Sequence, residues 1–252
     1  MKNTIFHRMM VLVLSCMMLL FCAIPASGAE PLKPEAYAVN ENGETYGNDF
    51  QAQALGYPAD LILATGEDGV VGYVRLSDLD DHISNPEEAL QQKIYDGLYI
   101  PLYESDGETV VGRFFLDGNS DDNSGHSTRS SYTFGNTMTM DIPTYTGYSK
   151  SGVRGCTNGV NAKTEVTTSK SVDAGWIGIM AQVFKNSDGS LVQASSWVYN
   201  SSSTSIFEKE IYHFSLLNTE YYSQGRVKLW NIDLSGYWTY RTNRSPVAKP
   251  NS

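Results

Sequence analysis

Short apolar runs separated by polar, glycine-marked corners dominate the chain, and their period is mostly two. The run LILATGEDGVVGYVRLSDL at residues 61–79 and the run YIPLYESDGETVVGRFFLD at residues 99–117 follow one plan. Each has a β-rich segment, an acidic turn ending in Asp-Gly, then Val-Val-Gly and a second β-rich segment. Asp68-Gly69 and Asp106-Gly107 predict hairpin tips, because glycine relieves the positive φ that tight hairpin turns require. Between the hairpins, SNPEEALQQKIYDG predicts one short helix. Ser84 or Asn85 caps it, Pro86 suits its first position, and Glu87 and Glu88 favour its positive end. Ala89, Leu90, Lys93 and Ile94 form a partial apolar stripe, and Gly97 ends it. The order β-β-α-β-β follows for this part of the chain.

Ahead of the first hairpin lies NENGETYGNDF, residues 40–50. Asn42-Gly43 is a turn dipeptide and Gly47 a second flexible point. Glu41, Glu44 and Asp49 lack the regular oxygen spacing of a calcium loop. The stretch therefore reads as an architectural turn with Tyr46 packing beneath it.

The C-terminal half carries strand signals throughout. GWIGIMAQVF, KNSDG and SLVQASSWVYN predict a hairpin with Asp188-Gly189 at its tip, and EKEIYHFSLL, EYYSQGRVKLWNI and GYWTYRTN follow as further strands. TMTMDIPTYT and KTEVTTSKSV alternate as half-exposed or edge strands do. Many short strands without a helical period predict an antiparallel β-sandwich or jelly roll. The fold class expected for the whole chain is mainly β, a small α+β hairpin module followed by that sandwich.

DGNSDDNSGHSTRSS, residues 117–131, contains no apolar residue and has the composition of a solvated linker. Its Asp117, Asn119, Asp121, Asn123 spacing fails as a calcium loop, because Asp122 stands where a glycine is needed and Thr128 where a bidentate glutamate is needed. Residues 1–29 have the pattern of a signal peptide: Lys2 and Arg8, the apolar run MMVLVLSCMMLLFCAI, then the small residues of PASGA, with cleavage after Ala29. An uncleaved membrane anchor is the rival reading. Lipid attachment at Cys22 is disfavoured by bulky Phe21. The division expected is 1–29 signal peptide, 30–116 acidic α+β module, 117–131 linker and 132–252 β-sandwich.

Charge supports that division. Residues 30–116 hold 17 acidic side chains against four basic ones, whereas residues 132–252 hold 8 against 11. An acidic first unit repels nucleic acid and anionic membranes, and a solvated surface accounts for it without any ligand. After cleavage at Ala29, Cys156 is the one cysteine left, so no intramolecular disulfide forms and burial alone must hold an extracellular fold. Cys156 reads as a buried thiol rather than a nucleophile, since no histidine lies near it in sequence.

Catalytic and cofactor motifs are missing from the sequence. His82, His126 and His213 are far apart, and HExxH, CxxC, GxSxG and GxxxxGK[ST] do not occur. No metal and no cofactor are expected. Asp80-Asp81, Glu87-Glu88 and Asp121-Asp122 fall in loops or at a helix start, where neighbouring acids are ordinarily solvated. The aromatic residues offer more. Trp176, Trp197, Trp230 and Trp238 all lie in the C-terminal half, and aromatic faces on a sheet bind sugar rings or proteins. The competing account is a sandwich core with cross-strand aromatic pairs. In GYWTYR, alternation puts Tyr237 with Thr239 on one face and Trp238 with Tyr240 on the other.

The linked motifs NENGETYG, PADLILATGEDGVVGYVRLSDL, PEEAL and IPLYESDGETVVGRF resemble a small module of exported proteins of Gram-positive bacteria, over about residues 38–116. That resemblance implies export, for a module with no established catalytic activity. Some members carry names taken from membrane metallopeptidase sensors, but this chain lacks the zinc motif of such a peptidase. GWIGIMAQVFKNSDGSL, WVYN and YYSQGRVKLWN resemble secreted β-sandwich domains over about residues 140–246, which implies fold and location only. The function expected is a secreted, non-catalytic binding module that contacts a glycan, the cell wall or a surface protein through Trp176, Trp197, Trp230 and Trp238. A secreted hydrolase built around His213 or Cys156 and a carboxylate is the alternative, and a toxin-like or bacteriocin-like effector a third.

Overall fold

A computed structural model describes residues 36–92, 97–118, 131–216 and 218–251. The expected signal peptide and almost all of the expected linker lie outside these residues. The N-terminal stretch contains β1 (Ala38–Val39), β2 (Thr45–Gly47), α1 (Asp49–Leu55), β3 (Leu61–Thr65), β4 (Val71–Arg75), α2 (Pro86–Gln91), β5 (Gly97–Tyr103) and β6 (Val110–Asp117). The C-terminal stretch is all strand: β7 (Thr133–Phe134), β8 (Met138–Ile142), β9 (Tyr145–Cys156), β10 (Gly159–Val172), β11 (Ile177–Met180), β12 (Gln182–Lys185), β13 (Leu191–Ser195), β14 (Val198–Tyr199), β15 (Thr204–Phe214), β16 (Tyr221–Ser223), β17 (Arg226–Asn231) and β18 (Gly236–Arg241). The mainly-β class is as expected.

All three Asp-Gly tips are turns between paired strands, with φ of 80° at Gly69, 76° at Gly107 and 69° at Gly189. The Asn42-Gly43 turn joins β1 to β2 in register Ala38↔Tyr46 and Val39↔Thr45. Its Gly43 has φ 81° and open space around the position of a Cβ. A side chain there would be disfavoured by its own backbone alone. Gly43→Val should therefore cost about 1–2 kcal/mol, and Gly43→Asn much less, because asparagine tolerates the left-handed region. Urea melts of the two variants check this, and equal losses would contradict it.

NENGETYGNDF also begins a helix that the sequence pattern did not reveal. Asn48 caps α1, accepting from the Gln51 amide at 3.0 Å while the Gln51 side chain accepts from the Asn48 amide at 3.0 Å. Gly56 closes the helix with φ 88°. The expected helix after residue 84 forms as α2, with Asn85 as its cap and Pro86 in its first turn. It stops at Gln91, short of Gly97, which instead begins β5. Lys93 and Ile94 lie outside the described residues.

The described residues do not divide into a small module and a separate sandwich. One nine-stranded sheet runs β1-β2-β3-β4-β5-β6-β13-β12-β16, and residues 34–252 form one compact unit. β13 pairs in parallel with β6 (Ala194↔Leu116, Ser195↔Asp117) and with β3 (Leu191↔Ala64). One core serves both stretches. Val74, Leu79, Ile100, Leu102, Phe114 and Leu116 pack with Met180, Phe184, Leu191, Ala194, Trp197 and Tyr222. Apart from this shared core the N-terminal stretch has only a small cluster, Tyr37, Ala52 and Ala59, among the described residues, too little to hold it alone.

The rest is a sandwich. A five-stranded sheet of β15-β10-β9-β7 with β8 packs on a four-stranded sheet, β14-β11-β17-β18, around Met140, Ile142, Val166, Ile177, Ile179, Val227 and Leu229. Along its length the same five-stranded sheet also meets β12 and β16, through Val153, Val160, Ala162, Val183, Ile211 and Tyr221. The chain changes sheets at Ala181, between β11 and β12, and at Ser196-Trp197, between β13 and β14. The Ser195 hydroxyl accepts from the Ala181 amide at 3.0 Å there, which satisfies a donor that leaves both ladders.

Candidate functional site

The Asp78–Ile83 loop makes the site. After β4 the chain folds through successive turns, with the Asp78 amide donating to the Arg75 carbonyl (3.1 Å) and the Asp80 amide to the Ser77 carbonyl (3.1 Å). Leu79 is 1% exposed and anchors the loop in the shared core. Its carbonyl accepts from the Trp197 indole at 2.9 Å. With Leu79 turned inward, Asp78, Asp80 and Asp81 are left around it. Asp80 and Asp81 each accept from an amide two residues on, His82 at 3.3 Å and Ile83 at 3.2 Å, the local bonding that aspartate makes in turns. His82 takes φ 57° to complete the bend.

Two strands of the sandwich supply the partners. Lys228 on β17 is 4% exposed and donates to Asp80 Oδ1 and Asp81 Oδ1, both at 2.6 Å. Its ammonium lies 4.5 Å from the centre of the Trp197 ring, where the negative face of the indole favours a cation. The Tyr199 hydroxyl donates to Asp81 Oδ2 at 2.9 Å. Burial pushes the Asp80 carboxyl upward, but the Lys228 bond and charge, the His82 amide and the Arg226 charge outweigh it, and the net shift is downward. Burial first, then the Asp81 charge and hydrogen bond, raise the Tyr199 phenol far above its ordinary value, so it stays a donor.

A cleft of about 540 Å³ opens beside this cluster. Asp78, Asp80, Asp81 and Glu88 line it, with Leu90, Leu98, Ile83, Trp197 and Tyr199. Its size is that of a ligand pocket. Lys228 is the ammonium that Asp80 and Asp81 share. Glu88, in the first turn of α2, accepts from the Ser84 amide and hydroxyl, each at 2.9 Å, and those bonds hold its carboxyl below the usual range. Among the described residues Asp78 Oδ2 is buried with no hydrogen-bond donor. The cleft thus offers acceptors and negative charge next to an apolar wall.

The four tryptophans do not form an exposed patch. Trp197 is 3% exposed and Trp230 9%, while Trp176 and Trp238 are partly buried against the sandwich core. A fold without disulfides uses these rings for its own burial. Trp176 packs on Tyr145 at 6.1 Å and Trp230 edge-on against Tyr237 at 5.2 Å. The alternation read from GYWTYR holds, since Trp238 and Tyr240 face the sandwich core. On the opposite face Tyr237 is partly covered, 5.6 Å from Tyr199 with its hydroxyl bonded to the Gly175 carbonyl, while Thr239 is exposed. Of the four, Trp197 alone lines the cleft.

His213 and Cys156 do not meet a carboxylate in a pocket. Cys156 is fully buried, its thiol donates to Asn161 Oδ1 at 3.5 Å, and burial raises its pKa. Glu210 is bonded instead by Asn161 at 2.8 Å and by Arg154 at 2.8 Å. His213 packs edge-on against Tyr221 at 4.9 Å, and burial pulls its pKa down to about 4. Its folded pKa lies below the unfolded value, so its contribution is full above about pH 6.5 and is lost as pH falls toward 4. That window should remove about 3 kcal/mol of stability. His213→Phe should flatten the profile between pH 6.5 and 4.5 in urea melts, and an unchanged slope would contradict this role. Among the described residues, no group of three or more His, Cys, Asp or Glu side chains has the geometry to hold a metal, and no helix is long and apolar enough to cross a membrane.

Paired acids in a loop looked like solvated charge in sequence, and nothing local pointed to Lys228 or Tyr199, which lie more than a hundred residues on. Comparison of the chain with protein-family models, with curated proteins and with solved structures gave no match.

Proposed function

We propose that the chain is a secreted, non-catalytic binding protein, and that its acidic cleft receives a segment of a protein ligand in which a Lys or Arg stands beside an apolar side chain. The observation that carries this reading is the cleft's imbalance: four carboxylates around an apolar wall, with Asp78 Oδ2 buried and without a donor. A buried acceptor without a donor costs about 1–3 kcal/mol, and an ammonium or guanidinium from a partner removes that cost. Leu90 and Leu98 are about half exposed, at 52% and 48%, and add apolar area beside the charge. A glycan is less well served. Sugar rings stack on open aromatic faces, and Trp197 lies almost wholly covered, with Lys228 over its ring. The carboxylates do not fit the hydrolase alternative either, since Asp80 and Asp81 are bound to Lys228 and Glu88 to Ser84.

A random peptide library selected on the immobilised protein tests this directly. Enrichment of Lys or Arg adjacent to Leu, Ile or Phe is expected, and enrichment of acidic or purely aromatic sequences would overturn it. Glu88→Gln keeps an acceptor for Ser84 but removes one charge from the cleft. It should weaken the selected peptides several-fold, mainly through a slower association rate, because steering responds to rim charge.

A further inference from the structure

The register of the last two strands sets two arginines against each other. Arg226 on β17 and Arg241 on β18 are direct partners, so their side chains leave the sheet on the same face. Like charges in that position repel unless something negative lies between them. One carboxylate is present: Asp49, 2% exposed, pairs with Arg241 and also accepts from the Tyr222 hydroxyl at 2.7 Å and from Gln53 at 2.6 Å. Its charge is paired with Arg241. Arg226 has no ion pair among the described residues, and its Nη1 is buried without a hydrogen-bond partner. Asp80 and Asp81 act on it through charge, with their Oδ1 atoms held by Lys228.

Both arginines line a second cavity of about 30 Å³, with Asp49, Asn48, Gln182 and Ala59. Gln182 is 3% exposed and brings a carboxamide to the same wall. Two guanidiniums and one carboxylate line this small cavity. Burial lowers the pKa of Arg226 and brings that of Arg241 down to about 10; a guanidinium is not deprotonated in proteins, so both carry charge. The volume admits one small sphere and excludes sulfate or phosphate.

We propose that this cavity is a structural site for a monatomic anion of the halide class, chloride in solution, held between Arg226 and Arg241. The ion supplies the missing acceptor for Arg226 Nη1 and lies between the two facing guanidiniums. It fastens the β17–β18 pair to the start of α1, which joins the sandwich to the first stretch of the chain. Binding to the folded state alone raises stability with ligand concentration.

The test uses the mature protein and does not depend on any ligand of the acidic cleft. Thermal melts in sodium chloride and in sodium gluconate at equal ionic strength should differ by about 2–4 °C in favour of chloride, with saturation. Arg226→Gln should lose the difference. Crystals grown or soaked in bromide should show an anomalous peak in contact with Arg226, a readout that needs no variant to fold. Equal melting temperatures in the two salts, a water without anomalous signal in the cavity, or a chloride effect with the bromide peak elsewhere would each overturn the proposal.

Discussion

Asp49→Ala should destabilise the protein by about 3–5 kcal/mol, the cost of leaving a buried guanidinium without its carboxylate. Asp49 stands at the first position of α1, and its carboxylate meets Arg241 from β18, Tyr222 from β16 and Gln53 from its own helix. Alanine removes all of these together. Tyr222 is fully buried between Phe184 at 5.4 Å and Phe50 at 6.2 Å, so its hydroxyl cannot turn to water. Asp49→Asn keeps the shape and some of the bonds and should lose less. In an Arg241→Met background, Asp49→Asn should lose less still, because the charge that demanded a partner has gone. Urea melts of the four proteins measure this coupling. Additive losses would show that Asp49 and Arg241 do not act as a pair.

Lys228→Met should cost about 3–5 kcal/mol for the same reason with the signs exchanged. Lys228 carries the counter-charge for Asp80 and Asp81, and the Asp81 side chain is 11% exposed. Without the ammonium, Asp81 keeps the Tyr199 hydroxyl and the Ile83 amide but loses its compensating charge. Adding Asp81→Asn should recover much of the loss at neutral pH. Chemical denaturation of the single and double variants at neutral pH checks both statements. A Lys228→Met protein as stable as the parent would contradict the reading of this cluster as the electrostatic joint between loop and sandwich.

Both predictions concern pairs that join the acidic and the basic parts of the chain. The charge split was plain in the sequence, where it fitted two soluble surfaces of different character. In the structure, part of it is complementarity within one unit: Asp49 meets Arg241, and Asp80 and Asp81 meet Lys228. Composition counts charges and does not say which are buried. The strands and their Asp-Gly tips were legible because a turn needing positive φ leaves a local signature. The Asn85 cap with Pro86 was legible for the same reason. α1 was not, because seven residues are too few for a helical period to show, although Asn48, Gln51 and Gly56 carry its caps.

Topology escaped the sequence for a different reason. The parallel contacts of β13 with β6 and β3 connect residues about 80 to 130 apart, and no local pattern encodes such pairing. The aromatic residues had two readings, a binding face and a core, and burial favours the core for Trp197 and Trp230. For the cleft, the sequence held its acids and its apolar wall but not their meeting. Leu79 and Trp197 lie on opposite sides of the segment expected as a linker, and the 2.9 Å bond between them fixes one side of the site.

Calorimetric titration of the protein with a short peptide of alternating lysine and leucine tests the central claim most directly. Saturable binding is expected, weakening as salt is raised and weakening further in Asp78→Asn, which replaces the carboxylate that has an unsatisfied buried oxygen. A cell-wall oligosaccharide should give no heat in the same cell. Absence of peptide binding, or binding indifferent both to salt and to Asp78→Asn, would contradict the assignment of the acidic cleft as the ligand site.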